Sequence, residues 1–200
     1  MDKQSRFPDW KKIYDSEPVE KMAWYCKELD PDLASELSAR NLTQGRFIDI
    51  GSGPGTQAAE LWRRGFQVTG TDLSKSAMEK AQGLYREIKF IEDDIVHSKL
   101  RGEWDFAFDR GCFHCLAPED RSAYVQNVSK ILVPQGYLFL KTFSWKESDW
   151  GYGPWRFTPD DIGEIFQGKF RMLSHKESVY QGTMPKNPLA LFTVLQKSEP

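Results

Sequence analysis

The feature that most constrains this chain is a rhythm. From Arg46 onward, short apolar runs alternate with amphipathic stretches, and the first run ends in a glycine-rich turn. "RFIDI" reads as a strand, "GSGPG" as a turn and "TQAAELWRRG" as a helix that stops at Gly65. "FQVTGTD" is a second strand. Ser74 then caps a helix whose apolar positions Ala77, Met78, Ala81, Leu84 and Tyr85 recur at a helical period. "IKFIED" and "WDFAFD" are the third and fourth strands. Pro118 opens a helix with Tyr124, Val125, Val128, Ile131 and Leu132 on one stripe, and "PQGYLFLKTF" is a turn and a fifth strand. Thr158-Pro159-Asp160-Asp161 starts a helix with a capping-box pattern, and two late strands lie near 170–180 and 189–196. This alternation predicts an α/β fold, an open and mostly parallel sheet with helices on both faces. Ligands of such sheets bind at the carboxyl ends of the strands, where strand order reverses. The informative residues should therefore follow strands one to four.

After strand one come Gly51, Ser52, Gly53, Pro54 and Gly55. Glycines there let a backbone approach a ligand and expose amides at a helix start. A dinucleotide fingerprint wants G-x-G-x-x-G, yet position 56 is Thr56 and the glycine falls at 55. Asp49 adds a carboxylate just before the turn. Strand two ends in Asp72, where an acid can take both ribose hydroxyls; it can equally serve the helix start at Ser74. Strand three ends in Glu92-Asp93-Asp94. An acid at that register can accept from an adenine amine, although three acids in a row also suit a solvated loop.

Taken in order, these signals resemble the class I S-adenosylmethionine-dependent methyltransferases. "FIDIGSGPGTQ" is similar to that family's first motif, Asp72 to its ribose acid and "FIEDDI" to its adenine segment. The resemblance covers about residues 45–143. It implies a Rossmann-like three-layer sandwich with a seven-stranded, mostly parallel sheet and an antiparallel last strand, which "LALFTVLQK" fits. It also implies that the Gly51–Gly55 backbone holds the methionyl end, that Asp72 holds ribose and that Leu73 packs on the adenine face. Asp93, Asp94 and the Ile95 amide would read the adenine edge. The cofactor implied is S-adenosyl-L-methionine, with S-adenosyl-L-homocysteine as product.

The fourth strand runs into "FDRGCFHCL", which places Cys112 and Cys115 around His114. A structural zinc site needs about four ligands, and Cys26, His97 and His175 supply no second close pair. A dithiol redox site belongs at a helix start in a thioredoxin-like context, which this sheet is not. No metal is expected, and the cysteines read as compact wall residues. "FDRGCFHCLAPEDRSAYVQNVSKIL" and "GPWRFTPDDIGEIF" resemble, more loosely, the thiopurine S-methyltransferase group and its bacterial small-molecule relatives. That resemblance implies a small acceptor. His114 and Asp109 are the candidate bases if one is needed; His114 can also be a wall histidine. Asp109 and Arg110 can pair with each other or orient the methionyl group. Trp24, Tyr25, Phe113, His114, Trp145 and Trp155 are the expected acceptor pocket. Trp150 and Tyr152 crowd the same loop, in which glycines 151 and 153 permit a hinge.

The remaining bounds are coarse. A single domain of 200 residues is expected, with residues 1–44 as a helical arm or lid, 45–143 as cofactor-binding core and 144–200 as acceptor side. The arm carries Trp10, Tyr14, Trp24 and Tyr25, and packing is favoured over a lid role. Net charge is −2, which gives no electrostatic reason for a nucleic-acid partner. The three cysteines, the charged N-terminus and the lack of any apolar run near about 18 residues predict a cytoplasmic protein without membrane segments. A monomer or homodimer acting on a small molecule is expected. Rival readings are less well supported. Amino-group methylases of bases carry an Asn/Asp-Pro-Pro-aromatic motif where this chain has Asp-Arg-Gly-Cys. Cytosine-carbon methylases need a Pro-Cys pair, and Thr56 argues against an NAD enzyme. A protein methyltransferase and a non-catalytic cofactor-binding protein remain open alternatives.

Overall fold

A computed structural model describes residues 10–148 and 152–199. Trp150 and Gly151 of the predicted acceptor loop lie outside them, and the side chain of Trp10 is likewise outside the description. The chain begins with α1 (Trp10–Ser16), a single 3-10 turn (Val19–Lys21) and α2 (Pro31–Ala39). The sheet units follow: β1 (Arg46–Ile50), α3 (Thr56–Arg63), β2 (Gln67–Asp72), α4 (Lys75–Leu84), β3 (Lys89–Glu92), β4 (Trp104–Arg110), α5 (Arg121–Ile131) and β5 (Leu132–Ser144). Then come β6 (Arg156–Phe157), α6 (Pro159–Phe166), β7 (Phe170–Val179) and β8 (Leu189–Lys197). Strand order is β3-β2-β1-β4-β5-β8-β7, with the two-residue β6 on the side of β5. Strands β1 to β5 pair in parallel, while β8 runs antiparallel to both β5 and β7. The predicted sheet is therefore present, with β6 as a short addition. Order reverses between β1 and β4, so the cleft rule points to their carboxyl ends.

Two local expectations needed adjustment. Pro118 opens a 3-10 turn, Pro118–Asp120, and the α-helix starts only at Arg121. The predicted turn before the fifth strand is a distortion inside β5, marked by Gln135 at φ 63°. The caps follow the sequence: Ser74 accepts from the Ala77 N–H, and Thr158 with Asp161 forms a complete capping box.

Period-two alternation sorts the core chemically. Phe47, Phe106, Phe108, Phe139 and Phe192 face α2 and α3, whereas Ile48, Ile50, Ala107, Leu138, Leu140 and Leu191 face α5 and α6. Each of these aromatic side chains, when fully buried, stabilises by about 2–3 kcal/mol. Both faces being sealed, only the strand ends remain for chemistry. Among the described residues, no helix is long and apolar enough to cross a membrane.

Candidate active site

The turn after β1 depends on glycine. Gly51 and Gly53 have φ of 68° and 52°, in the left-handed region. A Cβ at Gly51 would stand 2.6 Å from Cys112 Cβ, and one at Gly53 would stand 2.9 Å from Tyr14 Oη. The turn is thus pinched between the fourth-strand segment and the N-terminal arm. Asp72 stiffens it from the neighbouring strand: one oxygen accepts the Gly53 N–H at 3.0 Å and the other the Ser74 N–H at 2.8 Å. The two alternatives for Asp72, loop partner and helix-start partner, are realised in one carboxylate. Burial raises its pKa. Leu73 beside it is 62% exposed, an apolar face without a cover.

Asp49 is buried, and its Oδ2 has no hydrogen-bond partner. Its pKa is pushed up to about 7, mainly by burial and then by the nearby Asp109; the Ala58 N–H and Arg110 oppose the rise. At the end of β3, Asp94 closes a turn by accepting from the Val96 N–H at 3.0 Å and meeting His97 Nδ1 at 2.8 Å. Asp93 keeps a buried oxygen, Oδ2, without a partner. Ile95 is buried beside them.

At the end of β4 the predicted Asp109–Arg110 pair does not form. Asp109 accepts N–H groups of Gly111, Cys112 and Phe113 at 2.9–3.0 Å and the Tyr124 hydroxyl at 2.7 Å. Burial lifts its pKa to about 6 despite these bonds. Its oxygens hold the Phe113–Cys115 turn and point away from the cleft. Arg110 turns the other way. Its Nε donates to Asp30 Oδ2 at 2.9 Å, Nη1 to the Trp24 carbonyl at 2.9 Å and Nη2 to the Gln181 carbonyl. Asp30 Oδ2 also meets Lys141 Nζ at 2.7 Å, and Lys141 reaches Asp32 at 2.7 Å. One guanidinium therefore ties the arm, the start of α2 and the segment after β7 to the cleft.

His114 is buried, and its Nδ1 accepts the Phe143 N–H at 3.1 Å. Burial, with Arg110 and Arg156 nearby, drops its pKa to about 3, so the ring is neutral and Nε2 carries the proton. Phe113 is a correction: it lies wholly in the core against Tyr124, Phe157 and Phe166, because the 3-10 turn aims it inward. Trp155 also leaves the expected pocket; it packs on the core, with Arg121 over its ring at 5.4 Å. Trp145 is 54% exposed, with Lys146 Nζ 5.8 Å from its ring centre. Cys115 Sγ donates to the Gly111 carbonyl at 3.3 Å, and burial pushes both thiols well above the usual range. Among the described residues no group of three or more His, Cys, Asp or Glu is placed to hold a metal ion.

Trp24 and Tyr25 do reach the cleft. With Val19 and Met22 they face Asp49, Gly51, Gly53, Thr56, Gln57 and Arg110 across a narrow, partly open cleft. Gln57 locks the arm down, accepting from the Asp30 N–H and donating to the carbonyls of Cys26 and Glu28. Tyr14 was legible only as an arm aromatic and Tyr180 only as a strand end, and nothing local marked Gln57 as a site residue. Tyr180 is found only because β8 runs antiparallel and carries the end of β7 back to β4. Chemically, an unpartnered carboxylate oxygen and a guanidinium in one cleft suit the ammonium and carboxylate of an α-amino acid. A glycine turn, a paired acid and an uncovered leucine beside them suit an attached nucleoside.

Residues 47–136 match the family described as a methyltransferase domain. That match spans 90 of the 200 residues and takes in β1 to β4, so over the strands that form the cleft the chain is similar to methyltransferases. It is 24% identical over 183 residues to the thiopurine S-methyltransferase of Legionella pneumophila strain Paris, covering 80% of this chain and 83% of that one. Two solved structures share the fold. One is described by the conversion of a disulfide bond into a thioacetal group during echinomycin biosynthesis (TM-score 0.82, 19% identity, 94% of this chain and 90% of that one). The other is the Burkholderia thailandensis 1,6-didemethyltoxoflavin-N1-methyltransferase with bound S-adenosylhomocysteine (TM-score 0.67, 20% identity, 96% and 83%). The cleft residues, an unpartnered Asp49 oxygen, the glycine turn and Arg110, are of a kind that fits an amino acid joined to a nucleoside.

Proposed function

We propose that this protein is an S-adenosylmethionine-dependent methyltransferase acting on a small-molecule acceptor, a thiol or another soft nucleophile. The observation that carries the reading is the roof of the cleft. The chain's own arm lies over the strand ends with Val19, Met22, Trp24 and Tyr25, which narrows the cleft toward a small ligand. Similarity to a thiopurine S-methyltransferase over most of both chains supports a small sulfur acceptor. When bound, the cofactor supplies a methyl group on a sulfonium for in-line displacement. The protein's work is then to bind, align and exclude water. Asp49 receives the methionyl ammonium and Arg110 the carboxylate. The Gly51–Gly55 turn, with Ser52 inside it, follows the methionyl chain. Asp72 takes ribose while keeping the turn in place, Leu73 covers adenine, and Asp93, Asp94 and the Ile95 amide meet its edge. Trp24 and Tyr25 flank the acceptor.

In this reading the arm is a lid: it lies over the strand ends with Val19, Met22, Trp24 and Tyr25, and its opening admits the ligands. Neither His114 nor Asp109 abstracts a proton: the acceptor nitrogen of His114 is used by Phe143, and Asp109 is saturated by its own turn. The test is a screen of thiols, amines, acids and metalloid oxyanions with methyl-labelled cofactor. Label in a small product supports the reading. Label transferred instead to RNA, DNA or protein overturns it.

A further inference from the structure

The arm is fastened to the body of the protein along three consecutive carbonyls. The Met22 carbonyl accepts the Thr183 hydroxyl at 3.0 Å, the Ala23 carbonyl accepts the Thr183 N–H at 3.1 Å, and the Trp24 carbonyl accepts Arg110 Nη1 at 2.9 Å. Thr183 lies in the loop between β7 and β8, and Arg110 ends β4. The loop meets the arm without clearance: a Cβ at Gly182 would stand 2.0 Å from the Ala23 carbonyl oxygen and 3.5 Å from Trp24 Cα. The φ of Gly182 is not left-handed, so what this position takes from glycine is room. The loop is itself braced. The Gly182 N–H donates to Asn187 Oδ1 at 3.2 Å and the Tyr180 N–H to the Pro188 carbonyl at 2.7 Å. Gln181 accepts Lys141 Nζ on its side chain at 3.0 Å and Arg110 Nη2 on its carbonyl. The arm before Met22 is held differently. Of the described side chains of α1 only Tyr14 is buried, and the 3-10 turn after it buries none. Lys80 Nζ reaches the Glu17 carbonyl at 3.2 Å, but from an exposed position.

We propose that the arm has two parts: the β7–β8 loop is a clasp that keeps residues 22–25 on the body, and only α1 and the 3-10 turn open. The inference rests on the lid reading above and says where that lid bends. Gly182 and Thr183 are positioning residues. They hold Trp24 and Tyr25 as fixed walls of the acceptor space, while ligands enter past Tyr14. The costs of the two ways of opening decide the hinge. Lifting α1 gives up the burial of one tyrosine and one exposed hydrogen bond, and a seven-residue helix is marginal by itself. Lifting the arm beyond Trp24 breaks both Thr183 bonds and the bond to Arg110, then those of Gln57 to the Cys26 and Glu28 carbonyls. Local opening follows the smaller cost. It also uncovers the right element, because Tyr14 Oη is the atom that a Cβ at Gly53 would meet at 2.9 Å. Moving α1 therefore exposes the glycine turn while Trp24 and Tyr25 stay in place.

The test is amide hydrogen exchange on the full chain without ligand, read residue by residue. The clasp predicts that the Tyr25 and Thr183 amides exchange at least about tenfold more slowly than the Glu17 amide, which bonds to Ile13 in α1. Thr183→Val removes the hydroxyl donor and lowers protection at Tyr25 about fivefold; Thr183→Ser keeps it. Tyr14→Ala speeds release of S-adenosylhomocysteine at least about tenfold, yet leaves protection at Tyr25 and Thr183 within about twofold of wild type. Exchange of all three amides at one rate would mean that the arm opens as a single body, which overturns the proposal. So would unchanged protection at Tyr25 in Thr183→Val, unchanged release in Tyr14→Ala, or loss of Thr183 protection in that variant. Failure to bind S-adenosylhomocysteine at all is a different result: it removes the methyltransferase reading, and the exchange pattern still decides the clasp.

Discussion

The two sides of the cleft are built on different lengths of chain. On the cofactor side the decisive bonds are short in sequence: Asp72 to Gly53 spans 19 positions and Asp72 to Ser74 only two. On the acceptor side, to which Arg110 joins the proposed carboxylate site of the cofactor, they are long. Arg110 reaches Asp30 across 80 positions, Lys141 reaches it across 111, and Ser178 reaches Asp32 across 146. The first side is a motif, in which neighbouring residues specify one another. The second is a product of topology, assembled only when β8 has reversed direction and the arm has docked. One consequence is energetic. The cofactor side is held by backbone geometry, and the acceptor side by buried charge.

The largest effect should come from breaking the charge. Asp30→Ala leaves Arg110 and Lys141, with side chains 6% and 0% exposed, short of their shared carboxylate. Removing one partner of a buried pair destabilises by about 3–5 kcal/mol. Denaturant unfolding should show that loss, and Asp30→Asn, which keeps the shape and one acceptor oxygen, should lose less. If Asp30→Ala unfolds like wild type, the acceptor side is not held by charge and the contrast between the two sides fails.

Next in size is the glycine turn. Gly51→Ala places a methyl 2.6 Å from Cys112 Cβ at a φ of 68°. The turn must shift away from the fourth-strand segment. Calorimetry with S-adenosylhomocysteine should show affinity reduced at least about tenfold, with a smaller change in stability, because strain at one left-handed position is about 1–3 kcal/mol. Equal affinity would mean that the turn does not carry the cofactor.

This contrast also explains what the sequence made legible. The sheet, the helix caps, the glycine turn, Asp72 and the acids after β3 could all be read, because each is a local pattern with a fixed position on a strand. Trp24 and Tyr25, expected as acceptor-pocket residues on an arm for which packing was favoured over a lid role, line the cleft. Phe113 and Trp155 were misplaced. Nothing in "CFHC" or "GPW" says that a 3-10 turn aims one ring between α5 and α6, or that the other packs beside Arg121. Tyr180 was visible as the end of a strand but not as a wall of the site. Asp30 stands before Pro31 as the cap of α2, accepting the Asp32 N–H. Its second oxygen, the one that organises the acceptor side, leaves no trace in local sequence.

A subtler difference is electrostatic. Asp49 has a folded pKa near 7, above the unfolded carboxylate value. Between about pH 4 and 7 the folded state holds a proton that the unfolded state has lost. Stability therefore falls as pH rises through that window, and the loss is complete above about 7. Asp49→Asn should be more stable than wild type at pH 8, by at most about 4 kcal/mol, and no more stable at pH 4. Binding should run the other way. Affinity for S-adenosylhomocysteine should rise with pH through about 7 as Asp49 ionises to meet the ammonium, and should be weak and flat in the variant. Opposite pH trends in melting and in binding would mark Asp49 as a group kept at the expense of stability for its ligand.

The smallest effect expected is at the pair of residues that first catches the eye. Cys112 and Cys115 have a metal-like spacing, yet each is occupied with packing. Cys112 presses on Gly51, and Cys115 donates weakly to the Gly111 carbonyl. Changing both to Ala removes two sulfur atoms, a weak hydrogen bond and some contact area, which should lower stability by about 1–2 kcal/mol. Affinity for S-adenosylhomocysteine should stay within about twofold, because the turn keeps its Asp109 anchors at Gly111, Cys112 and Phe113. This variant sharpens the comparison because it sits on the seam between the two sides. A large fall in cofactor affinity would show that the glycine turn is shaped from the β4 side and is not a self-contained motif. Loss of a stoichiometric metal from the purified protein would show that the thiols are ligands. Retention of both fold and affinity would leave the cysteines as compact filler, chosen because nothing larger fits against Gly51.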